Sequence, residues 1–334
     1  MKRFFALFAI VTLSILTLSC KDENGADLDK EVWVNYTINN DELKSRVSGD
    51  GTTANRLYWA FYEADGTLLT ELSNTSGVEW NGIEGTTISV KLLVGRTYSA
   101  FFFAQNEGLP YNIDFEELTI EYVPDEILIT SEQTDAFYAH LTNITAENPQ
   151  TTVTLTRPFG QVNIGVPTSD YEAGLAAGVN LKTLHVTALD NHLGLNVKTQ
   201  QLYSYDPYNP GSPTIDDKTW GLAWMWEPPL LEKKSFVINE VETEYTILST
   251  YYMLLSENQP KKTISMICFE MSELEGQTHE TAELVRHYFS GVPVELNCRT
   301  YILGNLITTD SGTPFTVVVR PTPGGSSVEV ISAQ

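Results

Sequence analysis

"LYWAFYEADGTLLTEL", residues 57–72, decides the fold class. Two apolar runs rich in aromatic side chains flank Asp65-Gly66, the dipeptide best suited to the positive φ angles of a two-residue hairpin turn. "TTISVKLLVGRTYSAFFFAQN" (86–106) repeats the arrangement through Gly95, with Ala100, Phe102 and Ala104 alternating against Phe101 and Phe103. "DAFYAHL" (135–141) and "TTVTLTRPFGQVNIGV" (151–166) continue it. Short strands separated by turn residues predict antiparallel β-sandwich domains.

Outward from this centre the β pattern is interrupted once. "TSDYEAGLAAG" (168–178) carries Ser169 three residues ahead of Glu172, a capping-box spacing, and ends at Gly178. A helix this short is not stable alone, so it is expected to pack across a sheet end. Strands resume at "LKTLHVTAL" (181–189) and run through "EYTILSTYYMLL" (244–255), "RTYILGNLIT" (299–308) and "FTVVV" (315–319). A Pro/Gly/Ser stretch, "RPTPGGSS" (320–327), then leads to a last alternating piece, "VEVIS" (328–332). On the other side, "EVWVNYTI" (31–38) sets Val32, Val34 and Tyr36 against Trp33, Asn35 and Thr37, a strand pattern standing alone on a polar stem. Between it and Leu57 lies "KSRVSGDGTTANR" (44–56), which reads as an exposed loop.

The first residues read as an address. Met1, Lys2 and Arg3 precede "FFALFAIVTLSILTL" (4–18), the anatomy of a secretory signal peptide and shorter than the ~20 apolar residues of a membrane span. Leu18-Ser19-Cys20 resembles the end of a bacterial lipoprotein signal, with Cys20 as the acylated first residue of the mature chain. Thr17 stands where a branched apolar residue is usual, as in the looser lipoboxes of Bacteroidota. Lys21-Asp22-Glu23 resembles the surface-export tag of lipoproteins from that phylum. A plain signal peptide with an incidental cysteine is the competing reading. "DENGADLD" (22–29) looks superficially like a calcium loop but lacks the closing Glu, and reads as a solvated tether.

The chain has 43 acidic and 20 basic side chains in 334 residues, a net charge of −23, which disfavours nucleic acid and anionic membrane surfaces. Its length and 42% hydrophobic content suit two cores of ordinary domain size. Once Cys20 is set aside, Cys268 and Cys298 remain, and either a disulfide or two buried thiols fits their apolar surroundings.

Catalytic motifs are missing. The histidines at 140, 185, 192, 279 and 287 form no zinc pattern, and there is no nucleophile elbow or phosphate loop. We therefore expect no enzyme, no cofactor and no metal. "TWGLAWMWEPP" (219–229) would put Trp220, Leu222, Trp224 and Trp226 on one side of a strand, as a sugar platform or as core. "LYSYDPYNPGSP" (202–213) offers Tyr203, Tyr205 and Tyr208 as a recognition loop or as Tyr packed on Pro. These residues carry one functional alternative, a surface glycan-binding lipoprotein. The tail carries another, since Val328, Val330 and Ser332 alternate along a strand that can pair at home or be donated to another sheet.

"LTRPFGQVNI" (155–164) resembles the Arg-Pro-Phe-Ala-Gln-Ile-Asn segment of fimbrillin-like lipoproteins of Bacteroidota. "VPVELNCRTYILGNLIT" (292–308) resembles their Val-Pro-Val…Asn-Tyr-Arg-Thr-Asn-Ile-Leu-Gly-Asn-Leu-Leu-Thr segment, departing at Cys298 and Tyr301 as the first does at Gly160. The changes look tolerable in a strand framework. The resemblance implies an all-β chain of two tandem transthyretin-like sandwich domains, at 57–154 and 155–334, with one short helix in the second. Ahead of them stand a signal peptide (1–19) and a tether with the first strand (20–56). It further implies a cell-surface fimbrial subunit or fimbria-associated adhesin, exported as an outer-membrane lipoprotein. In polymerising members an arginine-specific protease removes an N-terminal strand, and a C-terminal strand of another subunit fills the vacated groove. Mapped here, Arg46 is the cleavage residue, with Arg56 a poorer second choice because it abuts the first core strand. The strand removed is 31–38, and 328–332 is part of the donor. Partners expected from this reading are other fimbrial subunits, a host or bacterial surface protein or glycan, and the membrane through the N-terminal lipid before cleavage. Arg157-Pro158 is expected to open the second domain's first strand, and Gly304 to permit close approach within a late strand.

Overall fold

In a computed structural model of the chain, the described residues are 30–40, 53–81, 85–107, 111–122, 135–188, 192–205, 213–214, 222–223, 229–272, 285–308, 315–321 and 329–333. The chain is nearly all β, with one helix among those residues. Its first strands are β1 (Glu31–Asn40), β2 (Arg56–Glu63), β3 (Asn74–Glu79), β4 (Thr86–Leu93), β5 (Tyr98–Gln105), β6 (Tyr111–Asp114), β7 (Thr119–Tyr122), β8 (Ala136–Ile144) and β9 (Thr152–Leu155). There follow β10 (Phe159–Pro167), the helix α1 (Thr168–Ala176), β11 (Thr183–Ala188), β12 (Gly194–Asn196), β13 (Gln201–Tyr205), β14 (Pro213–Thr214) and β15 (Leu222–Ala223). The last are β16 (Glu232–Ile238), β17 (Val241–Leu254), β18 (Lys261–Ile264), β19 (Ile267–Ser272), β20 (Val285–Phe289), β21 (Val292–Glu295), β22 (Cys298–Leu303), β23 (Phe315–Pro321) and β24 (Glu329–Ala333).

Two sheets face each other around the N-terminal core, one ordered β4-β1-β9 and the other β3-β2-β5-β8. The apolar alternation of β1 and β4 turns Val34, Tyr36, Ile38, Ile88, Val90 and Leu92 inward against Leu57, Phe61, Ala100, Phe102 and Phe137. The second sheet is buried on both faces. Its other side presents Tyr62, Phe101, Phe103 and Tyr138 to a core continuous with the rest of the chain, where Tyr111 stacks on Phe159 at 5.0 Å. That explains the unbroken apolar run of β5, because a strand covered on both sides has no polar face to alternate. Each fully buried Phe contributes roughly 1.5–3 kcal/mol relative to exposure.

A six-stranded sheet ordered β16-β17-β10-β22-β23-β24 dominates the second half. Val162, Ile164, Val166 and Ile302 from it share a core with Leu184, Val186, Ile267, Phe269 and Met271 from the sheet β15-β11-β19-β20. On the opposite face of that smaller sheet, His185, Glu270 and Arg286 form a cross-strand row, with His185 Nδ1 2.8 Å from Glu270 and Arg286 Nε 2.5 Å from it. β10 opens directly after Arg157-Pro158, as expected. Arg157 is itself buried, donating two hydrogen bonds of 2.6 and 2.5 Å to Asp135 just ahead of β8.

Several local expectations need correction. The Asp65-Gly66 turn forms, with Gly66 at φ +91°, but beyond a single bridge, Tyr62 to Leu68, the second arm does not pair as a strand. β2 instead takes β3 and β5 as partners. The turn at Gly95 (φ +78°) joins β4 to β5, yet these belong to opposite sheets, so it crosses the sandwich rather than closing a hairpin. The helix has Pro167 at its N-cap and no side-chain cap, so the Ser169–Glu172 capping box is not made. The Asp170 carboxylate serves elsewhere, accepting the backbone N–H groups of Leu306, Ile307 and Thr308 at 3.1, 3.1 and 3.3 Å. Gly304 lies past the end of β22, where its N–H donates to the Gly165 carbonyl. Cys268 and Cys298, for which a bridge and two thiols were both open, form no disulfide and are half-buried.

Candidate functional site

β1 does not stand alone. It lies inside its sheet, antiparallel to β4 over eight paired positions from Glu31–Leu93 to Ile38–Thr86, and parallel to β9 from Thr37–Thr152 to Asn40–Leu155. Backbone bonds reinforce both flanks: Thr37 N–H to the Thr151 carbonyl at 2.7 Å, and Val94 N–H to the Lys30 carbonyl at 2.9 Å. Its side chains hold it there as well. Val34, Tyr36 and Ile38 point into the core, where the Tyr36 ring meets Phe61 edge-on at 5.5 Å and Phe102 at 5.9 Å. Withdrawing β1 would therefore leave a slot with two open strand edges, β4 and β9, and an aromatic floor.

The fit of β1 is imperfect at one atom. The Tyr36 hydroxyl is buried and finds no hydrogen-bond partner among the described residues. Burial alone pushes its pKa well above the ordinary phenol value. An orphaned buried hydroxyl costs on the order of 1–3 kcal/mol.

The other end of the chain carries an edge strand. β24 pairs antiparallel with β23, from Phe315–Ala333 to Val319–Glu329, and forms the edge of the six-stranded sheet. Val330 and Ser332 lie on this strand; Val328 lies outside the described residues. So do Cys20, Arg46, Tyr208, Trp220, Trp224 and Trp226, as does the side chain of Tyr205. Tyr203 is half-buried, donates its hydroxyl to Glu121 at 2.6 Å, and lies so close to Gly194 that a Cβ there would be 2.2 Å from its ring. Of the tyrosines and tryptophans singled out from sequence, Tyr203 is the one whose side chain lies among the described residues. Among the described residues no group of His, Cys, Asp and Glu is arranged to hold a metal ion, and no helix is long and apolar enough to cross a membrane.

Residues 27–322 match the family of unknown function DUF6562. The chain belongs to DUF6562. The matched range starts just ahead of β1 and closes at the end of β23, so β1 is within the shared frame of DUF6562 and β24 lies beyond it. No curated protein matches this DUF6562 chain in sequence. Among solved structures it is similar to the fimbrial anchor protein Mfa2 from Porphyromonas gingivalis, at 8% identity and a TM-score of 0.37, over 82% of this chain and 91% of that one. It is similar to a fimbrial assembly protein from Parabacteroides distasonis at 11% identity and a TM-score of 0.42, over 91% and 100% of the two chains. A candidate polysaccharide-binding protein (DUF1812) from Bacteroides thetaiotaomicron matches at 10% identity and a TM-score of 0.45, over 90% and 98%. By their descriptions the first two are fimbrial proteins and the third is polysaccharide-binding.

One feature of this DUF6562 chain has no sequence signal. A groove of about 510 Å³ opens beside β1, lined by residues from β1, β2, β4 and the turn ahead of β3. Trp33, which the alternation of β1 merely turns outward, stands at its rim with 65% of its surface exposed. Segments distant in sequence meet there, so no local pattern could have found it.

Proposed function

We propose that this chain is a cell-surface fimbrial subunit or fimbria-associated adhesin that assembles by proteolysis-triggered donor-strand exchange. In this reading residues 1–19 direct export, Cys20 carries a lipid to the outer membrane, and 20–56 hold the tether, β1 and the cleavage loop. Two sandwich domains follow, divided near residue 155. Cleavage after Arg46 frees β1, and a strand from another subunit enters between β4 and β9. The chain's own tail, with Val328, Val330 and Ser332, is the candidate donor to the next copy.

The observation that carries this reading is a strand seated between two partners and held through buried Val34, Tyr36 and Ile38, in a chain whose sequence puts Arg46 a few residues beyond it. Main-chain bonding on both sides with alternate side chains in pockets is the physics of β-strand addition. An edge position for β24 is consistent with a strand that can change partners. The test is to shear cells expressing the chain and run the released material unboiled. A ladder that disappears in an Arg46→Ala variant is the expected result. Monomer alone from the unaltered chain would refute assembly by this route.

A further inference from the structure

The groove beside β1 is built partly from β1 itself, so it belongs to the uncut chain, and its chemistry is specific enough to name a ligand class. Sheet β4-β1-β9 supplies Trp33 and Lys91, paired across the register, and the facing side supplies Trp59, Glu63, Glu71 and Asn74. Trp59 sits at the inner wall with its indole N–H donating to the Leu72 carbonyl at 3.1 Å, which fixes the ring. Lys91 Nζ lies 5.2 Å from the centre of the Trp33 ring and 2.6 Å from Glu31, so the exposed indole is held by a cation on one side.

The charges narrow the choice. Both groove cations are already engaged, Lys91 with Glu31 and Arg96 with Glu63 at 3.0 Å, while Glu71 adds a further negative charge. An anionic ligand would meet paired cations, an excess carboxylate and a chain of net charge −23. A purely apolar ligand would leave the carboxylates and amides of the wall desolvated and unanswered. A neutral sugar meets both demands: its C–H face stacks on the indole, and its hydroxyls donate to carboxylate oxygens and bond to Asn74. The volume, about 510 Å³, falls within the ~300–1,000 Å³ of small-ligand clefts.

From this geometry we infer that the groove between Trp33 and Trp59 is a binding site for a neutral saccharide, with Trp33 as the stacking platform. The site exists only while β1 is in place, so cleavage after Arg46 would dismantle it, and its test uses the uncut chain.

The full mature chain, displayed on an array of neutral, sialylated and uronate-containing oligosaccharides, should bind neutral members. The best of these, titrated by tryptophan fluorescence, should bind Trp33→Ala at least about tenfold more weakly and Trp33→Phe in between. Trp33 faces outward, so its replacement leaves the inward row of β1 intact, and an unchanged thermal midpoint verifies this. An array without neutral signal, a preference for the acidic glycans, or undiminished binding by Trp33→Ala overturns the site.

Discussion

Gly160 gives the sharpest residue-level test. The resemblance allowed alanine at this position, but a Cβ here would lie 2.2 Å from Val294 Cγ1 and 2.8 Å from the Glu295 carbonyl, and backbone does not move aside as a side chain can. Gly160→Ala should destabilise the fold by about 1–3 kcal/mol through overpacking, read as a lowered urea midpoint at unchanged slope. The motif was legible in sequence, and the reason for its departure was not, because Val294 is 134 residues away. Histidine makes a second prediction. Burial holds His287 below the usual 6.5, outweighing its 2.7 Å hydrogen bond to the Leu306 carbonyl; burial and then nearby Lys198 do the same for His140. The unfolded chain therefore takes up protons first as pH falls through 6.5, so this contribution to stability is complete above 6.5 and is lost below it. His287→Gln should flatten the decline of stability with acid, and an identical slope in the variant would refute the assignment.

At the scale of elements, β1 was legible because its alternation is clean, and its place in the sheet was not. Nothing local states that β1 will pair parallel to β9, more than a hundred residues later. The capping box shows the opposite failure: the Ser169–Glu172 spacing was present, but the chain spends Asp170 on the segment after β22 and lets packing hold the helix. Two predictions belong here. Removing residues 20–40 should expose the aromatic floor of the slot and lower the thermal midpoint, and a synthetic peptide of residues 30–40 added in trans should restore it in proportion to concentration. A peptide without effect would mean that the slot closes. Tyr36→Phe, which deletes the orphaned hydroxyl and keeps the ring contacts, should be neutral or raise stability by up to about 1–3 kcal/mol. A large loss would show that the hydroxyl has a partner.

For the whole molecule, the all-β class was readable from alternation and turn residues, whereas the way the sheets share cores was not. The run of β5 faces two cores at once, and a sequence gives no sign of which neighbours lie on each side. The same arrangement governs how the molecule carries mechanical load. Bonds in an antiparallel ladder run across the strand axis, so tension entering at Glu31 and directed along β1 strains all eight positions shared with β4, and the flank with β9, at the same moment. Such a shear joint yields only when the whole ladder fails together, whereas tension across the axis would open one rung after another. The strand proposed to leave by cleavage is thus held in shear against being pulled out along its axis.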